Sequence, residues 1–528
     1  MHSRIWLTLG ALIAAFGCSS GQDAAPDSAR GGAVSANGGA MLPSNGGANS
    51  SGGTTPGGAS AAGGASFGGS TSRGGATSGG TSGGAGTAPG LGGAPNIAGT
   101  AGTNPGGSTG AGGTSASAGM TGTDPNQPVY NYGASVENSS AGCDVAALAE
   151  PATLPAIPKL PDPFKKLDGA KLSKRAEWHC RRQEILKQAE KYIYGTRPKP
   201  DSVSGTVSKT QVTVHVEAMG KAIDFSAEVV LPTTGTGPFP AIINVGVRGT
   251  GGRGITLEES RILQQGVAVI YFNHNELGRE GQPEQSRGKP NPGKFYDIYG
   301  GTHSAGLLQA WSWGASRLID VLQASDKSVI DPQKLGVTGC SRNGKGAFTI
   351  GLFDERIALT IPHETSTGGV PAYRIVDVLN TERTDHNYNG LNWLSNDFAP
   401  FVYKSGTSNA VKLPIDTHSL IASMAPRGLL ILENPHQTQM SAPAGHTAAV
   451  AGAEVYKALG VAQNISYHSA VAQTPHCSYK QEYTEVLIAN IKKFLKHESA
   501  ETGQFNVGQN GSLKLSDWKD WEAPALSE

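Results

Sequence analysis

Net charge is missing from this chain: Lys+Arg and Asp+Glu each number 42. The balance excludes a strongly electrostatic partner, so no nucleic acid is expected and a neutral or modestly polar ligand fits better. Cysteine is sparse, five in 528 residues, and no two stand at the Cys-x-x-Cys spacing of a zinc site, so neither a metal nor another cofactor is expected. Charge and aromatic rings are scarcest between Gly21 and Tyr130. That 110-residue stretch holds five charged residues (Asp23, Asp27, Arg30, Arg73, Asp124) and two aromatics, Phe67 and Tyr130, against 34 of the chain's 74 glycines. It has almost no large apolar surface to set against its ordering entropy and is expected to be disordered. Folding is thereby confined to residues 131–528, which number 398.

At the start, His2 and Arg4 precede an apolar run from Ile5 to Phe16, too short to span a bilayer as a stable helix. Gly17-Cys18 then resembles a bacterial lipobox, which implies a signal segment over residues 1–18, lipidation of Cys18 and an outer-membrane or cell-surface lipoprotein anchored in the membrane. The alternative is an ordinary signal peptide and a secreted product. Both predict export, with residues 19–130 as a flexible linker. Cys143, Cys180, Cys340 and Cys477 remain, and in an oxidising compartment they permit two disulfides in three connectivities.

Beyond Ile157 the chain gains charge and periodicity. Lys171 to Tyr194, Ser304 to Ala324, Lys345 to Phe353, Thr447 to Leu459 and Tyr483 to Lys496 have helical spacing. Val203 to Val216 and Ala222 to Leu231 alternate like antiparallel strands. Pro240 to Val247, Gly266 to Phe272, Lys334 to Thr338, Ile357 to Pro362, Gly428 to Leu432 and Ile465 to Ala470 are apolar strand runs. Strands alternating with helices predict one α/β domain, with a mostly parallel central sheet covered on both faces as a three-layer sandwich.

The segment from Val337 to Ala347 carries the most chemistry. Ser341 stands among small residues between a buried strand and a helix, the pattern of a nucleophile elbow. Gly339 is the small residue two before it; Asn343, two after, replaces the usual Gly and is tolerated for its backbone latitude. A serine needs a base, and His476 follows the later strands as the order serine, acid, histidine requires. Glu364 and Glu433 each follow a strand and are both candidates for the acid.

Residues 330–346, which include Gly-Cys-Ser-Arg-Asn-Gly-Lys-Gly, together with Arg356 to Pro362 and Glu364-Thr-Ser-Thr-Gly-Gly369, resemble the glucuronoyl esterases, carbohydrate esterase family 15. The resemblance runs from about Pro240 to Phe494. It implies an α/β-hydrolase fold and attack by Ser341 on the ester between glucuronic acid side groups of xylan and lignin alcohols. It also implies Glu364 as acid, His476 as base and Glu433 as the second carboxylate of some bacterial members. Arg342 would stabilise the oxyanion, and Lys345 would hold sugar hydroxyls. Glu382 falls where the family often has a sugar-binding glutamine. Trp393 is retained, as packing more than as a sugar platform, while Gly390 replaces a sugar-binding glutamate of fungal members. The resemblance further implies a Cys340–Cys477 disulfide, which leaves Cys143 and Cys180 to one another. Glu433 to Gln439 lacks the tryptophan that packs against the sugar's 4-O-methyl group in fungal relatives. Two rival readings remain: a general carboxyl or acetyl esterase of the same fold, and a glycan-binding lipoprotein without catalysis.

Overall fold

The computed structural model describes residues 134–249, 257, 259–280, 290–390 and 392–528. The expected signal segment, Cys18 and the linker lie outside them. Among the described residues ten strands form one sheet: β1 (Ser202–Val207), β2 (Gln211–Ala218), β3 (Lys221–Val230), β4 (Phe239–Val245), β5 (Ala268–Phe272), β6 (Ile330–Cys340), β7 (Ile357–His363), β8 (Gly428–Leu432), β9 (Ile465–His468) and β10 (Phe505–Asn506). Their spatial order is β1-β2-β3-β5-β4-β6-β7-β8-β9-β10. Pairing is antiparallel as far as β3 with β5, and parallel from β5 onward.

Residue pattern explains the division. β2 alternates exposed and buried positions, as a strand with one solvated face must. β5, β7, β8 and β9 are buried at every position and belong to the covered, parallel part. Five helices matter most here: α1 (Trp178–Ala189), α2 (Leu307–Ala324), α3 (Arg342–Phe353), α4 (Ala442–Ala458) and α5 (Tyr483–Leu495). Successive strand residues feed opposite cores. Ile243, Ile270 and Ile431 pack with Leu318 of α2, Phe348 of α3 and Val455 of α4. Ile242, Val269 and Leu430 pack with Leu487, Ile491 and Phe494 of α5 on the other face. The result is the expected sandwich of three layers.

Several expected bounds shift. Val203 to Val216 is two strands, because Ser208 Oγ donates to Gln211 O and accepts from Gln211 N–H, closing a turn inside the run. Lys171 to Lys174 is not helical; α1 starts at Trp178 and ends in a wider π turn over Glu190–Tyr194. α4 begins at Ala442, five residues before Thr447, with Pro443 in its first turn, where a missing N–H costs nothing. β6 begins at Ile330, four residues before Lys334, pairing with Phe239 of β4.

Among the described residues two disulfides are present, Cys143–Cys180 and Cys340–Cys477, separated by 37 and 137 residues. By chain entropy they restrict the unfolded state by about 4 and 5 kcal/mol. The first ties the segment ahead of α1 to α1 and touches no residue of the elbow. Replacing Cys143 and Cys180 by alanine should therefore lower unfolding free energy in urea by about 2–4 kcal/mol and leave kcat within twofold of the parent, with kcat measured below the transition.

Candidate active site

β6 runs out at Cys340, and α3 begins at Arg342. Ser341 between them takes φ 59° and ψ −128°, a left-handed, strained conformation. Its N–H is held by His363 O at 2.9 Å. Two glycines permit the turn. A Cβ on Gly339 would lie 2.4 Å from Asn343 O, and one on Gly344 would lie 2.7 Å from His363 O. This corrects the expectation for Asn343: it sits inside α3 with no left-handed backbone, and the close approach that excludes a side chain falls on Gly344.

β7 and β8 pair at His363 and Leu432, so the residues that follow them, Glu364 and Glu433, leave the sheet side by side. Their environments differ sharply. Glu364 Oε2 accepts from His476 Nδ1 at 2.6 Å and from Cys477 N–H at 3.1 Å. Its Oε1 is 3.0 Å from His363 Nε2 and accepts from Lys480 Nζ at 2.5 Å. Burial alone would raise this carboxyl's pKa, but the hydrogen bonds from His363 and His476 and the charge of Lys480 hold it well below the usual range. Neither oxygen of Glu433 has a hydrogen-bond partner of good geometry. Burial, reinforced by the charge of Glu364, pushes the Glu433 carboxyl well above its ordinary pKa. With Nδ1 given to Glu364, the imidazole of His476 keeps Nε2 as its basic nitrogen, 3.5 Å from Cys477 Sγ. The Cys340–Cys477 bond, with Cα atoms 5.8 Å apart, joins the residue before Ser341 to the residue after His476.

A second group of charges flanks the elbow. Trp393 is 7% exposed; Lys345 Nζ lies 4.0 Å from its ring centroid, and the Arg342 guanidinium carbon lies 5.6 Å away. Its Nε1–H donates to Glu280 Oε1 at 3.1 Å, and the same oxygen accepts from Arg342 Nη1 at 2.6 Å. Burial pushes the Lys345 ammonium down to about 8, opposed by the charge of Glu382. Glu382 thus lies near Lys345, with its backbone carbonyl held by the Thr367 hydroxyl and its Oε2 without a partner. His274, buried beside Arg342 and Trp311, is pushed down to about 3 by burial and then by Arg342. Two trios of metal-ligating atoms lie within 4.8 Å of one another, Cys340–His476–Cys477 and Cys340–His363–Glu364. Both sulfurs are spent in the disulfide and offer no thiolate.

Structure adds Glu280, His274 and Lys480 to the residues that sequence reasoning named. Glu280 and His274 follow β5 in a loop without a motif, and a lysine four residues past a histidine carries no signal of its own.

A family model described as "Glucuronyl esterase, fungi" matches residues 214–460. A 4-O-methyl-glucuronoyl methylesterase of Neurospora crassa is 37% identical over 378 residues, 70% of this chain and 90% of that protein. This chain belongs to the glucuronoyl esterases. A solved glucuronoyl esterase of Sporotrichum thermophile, a serine-to-alanine variant in complex with methyl 4-O-methyl-β-D-glucopyranuronate, is 35% identical with a TM-score of 0.65. The likeness covers 73% of this chain and 100% of that one. A carbohydrate esterase family 15 member from Caldicellulosiruptor kristjansonii is 26% identical, with a TM-score of 0.55 over 71% of this chain and 99% of that one. The three layers are those of an α/β-hydrolase, and family members are carboxylic ester hydrolases.

In this glucuronoyl esterase Glu280 fixes the Arg342 guanidinium and the Trp393 indole together. Glu280→Ala should free the guanidinium beside the elbow and lower kcat/KM by about 10- to 100-fold, with circular dichroism unchanged. Steady-state kinetics on an alkyl glucuronate ester check this.

Proposed function

We propose that this chain is a serine esterase acting on esters of glucuronic acid and 4-O-methyl-glucuronic acid side groups of glucuronoxylan, including those to lignin alcohols. The observation that carries the reading is the elbow Ser341 tied by the Cys340–Cys477 bond to a histidine already oriented by a buried carboxylate. The relatives named 4-O-methyl-glucuronoyl methylesterase, and the neighbour bound to a methyl uronate ester, supply the substrate class.

In this reading Ser341 Oγ attacks the ester carbonyl carbon while His476 Nε2 takes the hydroxyl proton. The tetrahedral oxyanion meets the Arg342 N–H at the start of α3, and the Arg342 guanidinium fixed by Glu280. As the bond to the alcohol oxygen breaks, the imidazolium returns the proton to the leaving alcohol. Water then repeats the sequence on the acyl-serine and releases the uronic acid. Glu364 orients the imidazole and stabilises its charged form. Lys345 and Glu382 face the sugar hydroxyls, and Trp393 holds the two cations more than it stacks on a sugar. Two disulfides fit an oxidising compartment outside the cytoplasm. The Gly17-Cys18 pattern supports a lipid on Cys18, with the linker 19–130 giving the domain reach to an insoluble wall.

Ser341→Ala should stay folded and lose at least about 10³-fold in kcat on an alkyl glucuronate ester. The parent enzyme should turn over that ester far faster than an acetyl ester, because two cations flank the elbow. Equal rates on the two esters would instead make it a general esterase.

The stretch from Glu433 to Gln439 has no tryptophan, and His436 Nε2 and Gln437 Nε2 are engaged with Val471 O at 3.0 Å and Thr474 O at 3.1 Å. A pocket fitted to one methyl discriminates by about 10- to 200-fold. Here the ratio of kcat/KM for methylated over unmethylated glucuronate esters should stay below about tenfold; a larger ratio would mean that another side chain packs the methyl.

A further inference from the structure

Glu364 and Glu433 leave adjacent, paired strands, and both side chains are fully buried. Two carboxyl groups so placed cannot both ionise without a counter-charge. One ammonium is at hand. Lys480 Nζ, also fully buried, donates to Glu364 Oε1 at 2.5 Å and to Ser478 O at 3.1 Å, and lies 5.5 Å from the Tyr483 ring centroid. On Glu433, the Oε1 atom is where α4 packs closely, a Cβ on Gly445 coming within 3.6 Å of it, and no cation is bonded there.

We infer that Lys480 is a positioning residue that selects Glu364, and not Glu433, as the ionised member of this carboxyl pair. The inference rests on the reading of Glu364 as the acid of the triad. His476 and Lys480 sit four residues apart on one loop, so a single segment delivers the imidazole to one oxygen of Glu364 and the ammonium to the other. The base and the counter-ion of the acid are placed by the same fold of the chain. The remaining titratable groups around the pair do not substitute for the ammonium. Burial lowers the pKa of His363, on β7, against the opposing pull of Glu364, and Tyr483 on α5 and Tyr467 on β9 are pushed above their ordinary range by burial. His476 has to cycle between neutral and charged in each turnover. Without Lys480 the preference for Glu364 would rest on His363, His476 and the Cys477 N–H alone, and with Glu433 beside it the Glu364 carboxylate would become costlier. Glu364 would then hold its charge less firmly, and the acid limb of the kcat/KM profile, which the bonded Glu364–His476 pair sets together, would move up.

The test compares Lys480→Met, Lys480→Gln and Lys480→Arg with the parent in kcat/KM against pH on an alkyl glucuronate ester, with folding followed by circular dichroism. The Met and Gln variants should shift the acid limb up by about 1 pH unit or more, with KM unchanged because Lys480 is buried away from substrate. Lys480→Arg, which keeps the charge, should leave the limb in place. Lys480→Gln retains a donor to Glu364, so it removes the charge with least damage if Lys480→Met does not fold. Adding Glu433→Gln to either neutral variant should bring the limb part of the way back, since no second carboxyl then competes for the charge. An acid limb unmoved in the neutral variants overturns the inference, and so does a shift of the same size with and without Glu433→Gln. Glu364→Gln separates the two levels: if it keeps parental turnover, the acid assignment itself fails; if it is inactive while the Lys480 profiles coincide with the parent, only the role of Lys480 is lost.

Discussion

One buried anion organises the C-terminal end of this sheet. Glu364 is fully buried, and an unpaired carboxylate in such a place costs several kcal/mol. Donors converge on it from two parts of the chain: His363 from β7, and His476, the Cys477 N–H and Lys480 from the loop after β9. The requirement to satisfy this carboxylate therefore also fixes where the histidine loop must lie. The Cys340–Cys477 bond acts on the same loop from the other side and ties it to the end of β6. Ser341 and His476 are brought together by two independent constraints, one electrostatic and one covalent, so neither needs a strong hydrogen bond between serine and histidine in the free enzyme.

The cations beside the elbow obey a different logic. Lys345 is 2% exposed and sits over an indole face, where an ammonium loses hydration and regains part of it from the ring quadrupole. Its depression to about 8 is the cost of that site. Arg342 cannot give up its charge, and it is anchored instead by a carboxylate, Glu280, that also takes the indole N–H. The positive field is thus in place before any substrate arrives, as the oxyanion role proposed for Arg342 requires.

How much of this was legible in the sequence follows from how local each cause is. The elbow was readable because strand, small residues, serine and helix are contiguous, although the role given to Asn343 belongs to Gly344, whose crowding comes from His363 on another strand. The sandwich was readable because a fully buried strand has an apolar run and a half-exposed one alternates. Helix starts were less so: Pro443 opens α4 where a proline reads as a break. The candidate acid could be narrowed only to two glutamates at strand ends, since most of the donors that separate Glu364 from Glu433 lie far along the chain: His476, the Cys477 N–H and Lys480 are 112 to 116 positions beyond Glu364. Glu280 was invisible for the same reason.

The stretch after β8 shows how positioning and specificity compete for the same side chains. Asn434 donates through Nδ2 to Thr474 O at 3.2 Å, and Gln437 reaches the same carbonyl. His436 reaches Val471 O, so three of the first five residues after the strand brace the 471–474 segment that leads into His476. A side chain bonded to the backbone of that loop is not available to line a sugar pocket, and the apolar ring that could have done so is missing from the sequence. Side chains that could have lined a sugar pocket are committed instead to holding the loop that carries His476, and in the proposed reaction recognition of substrate leans correspondingly more on the charged groups flanking Ser341.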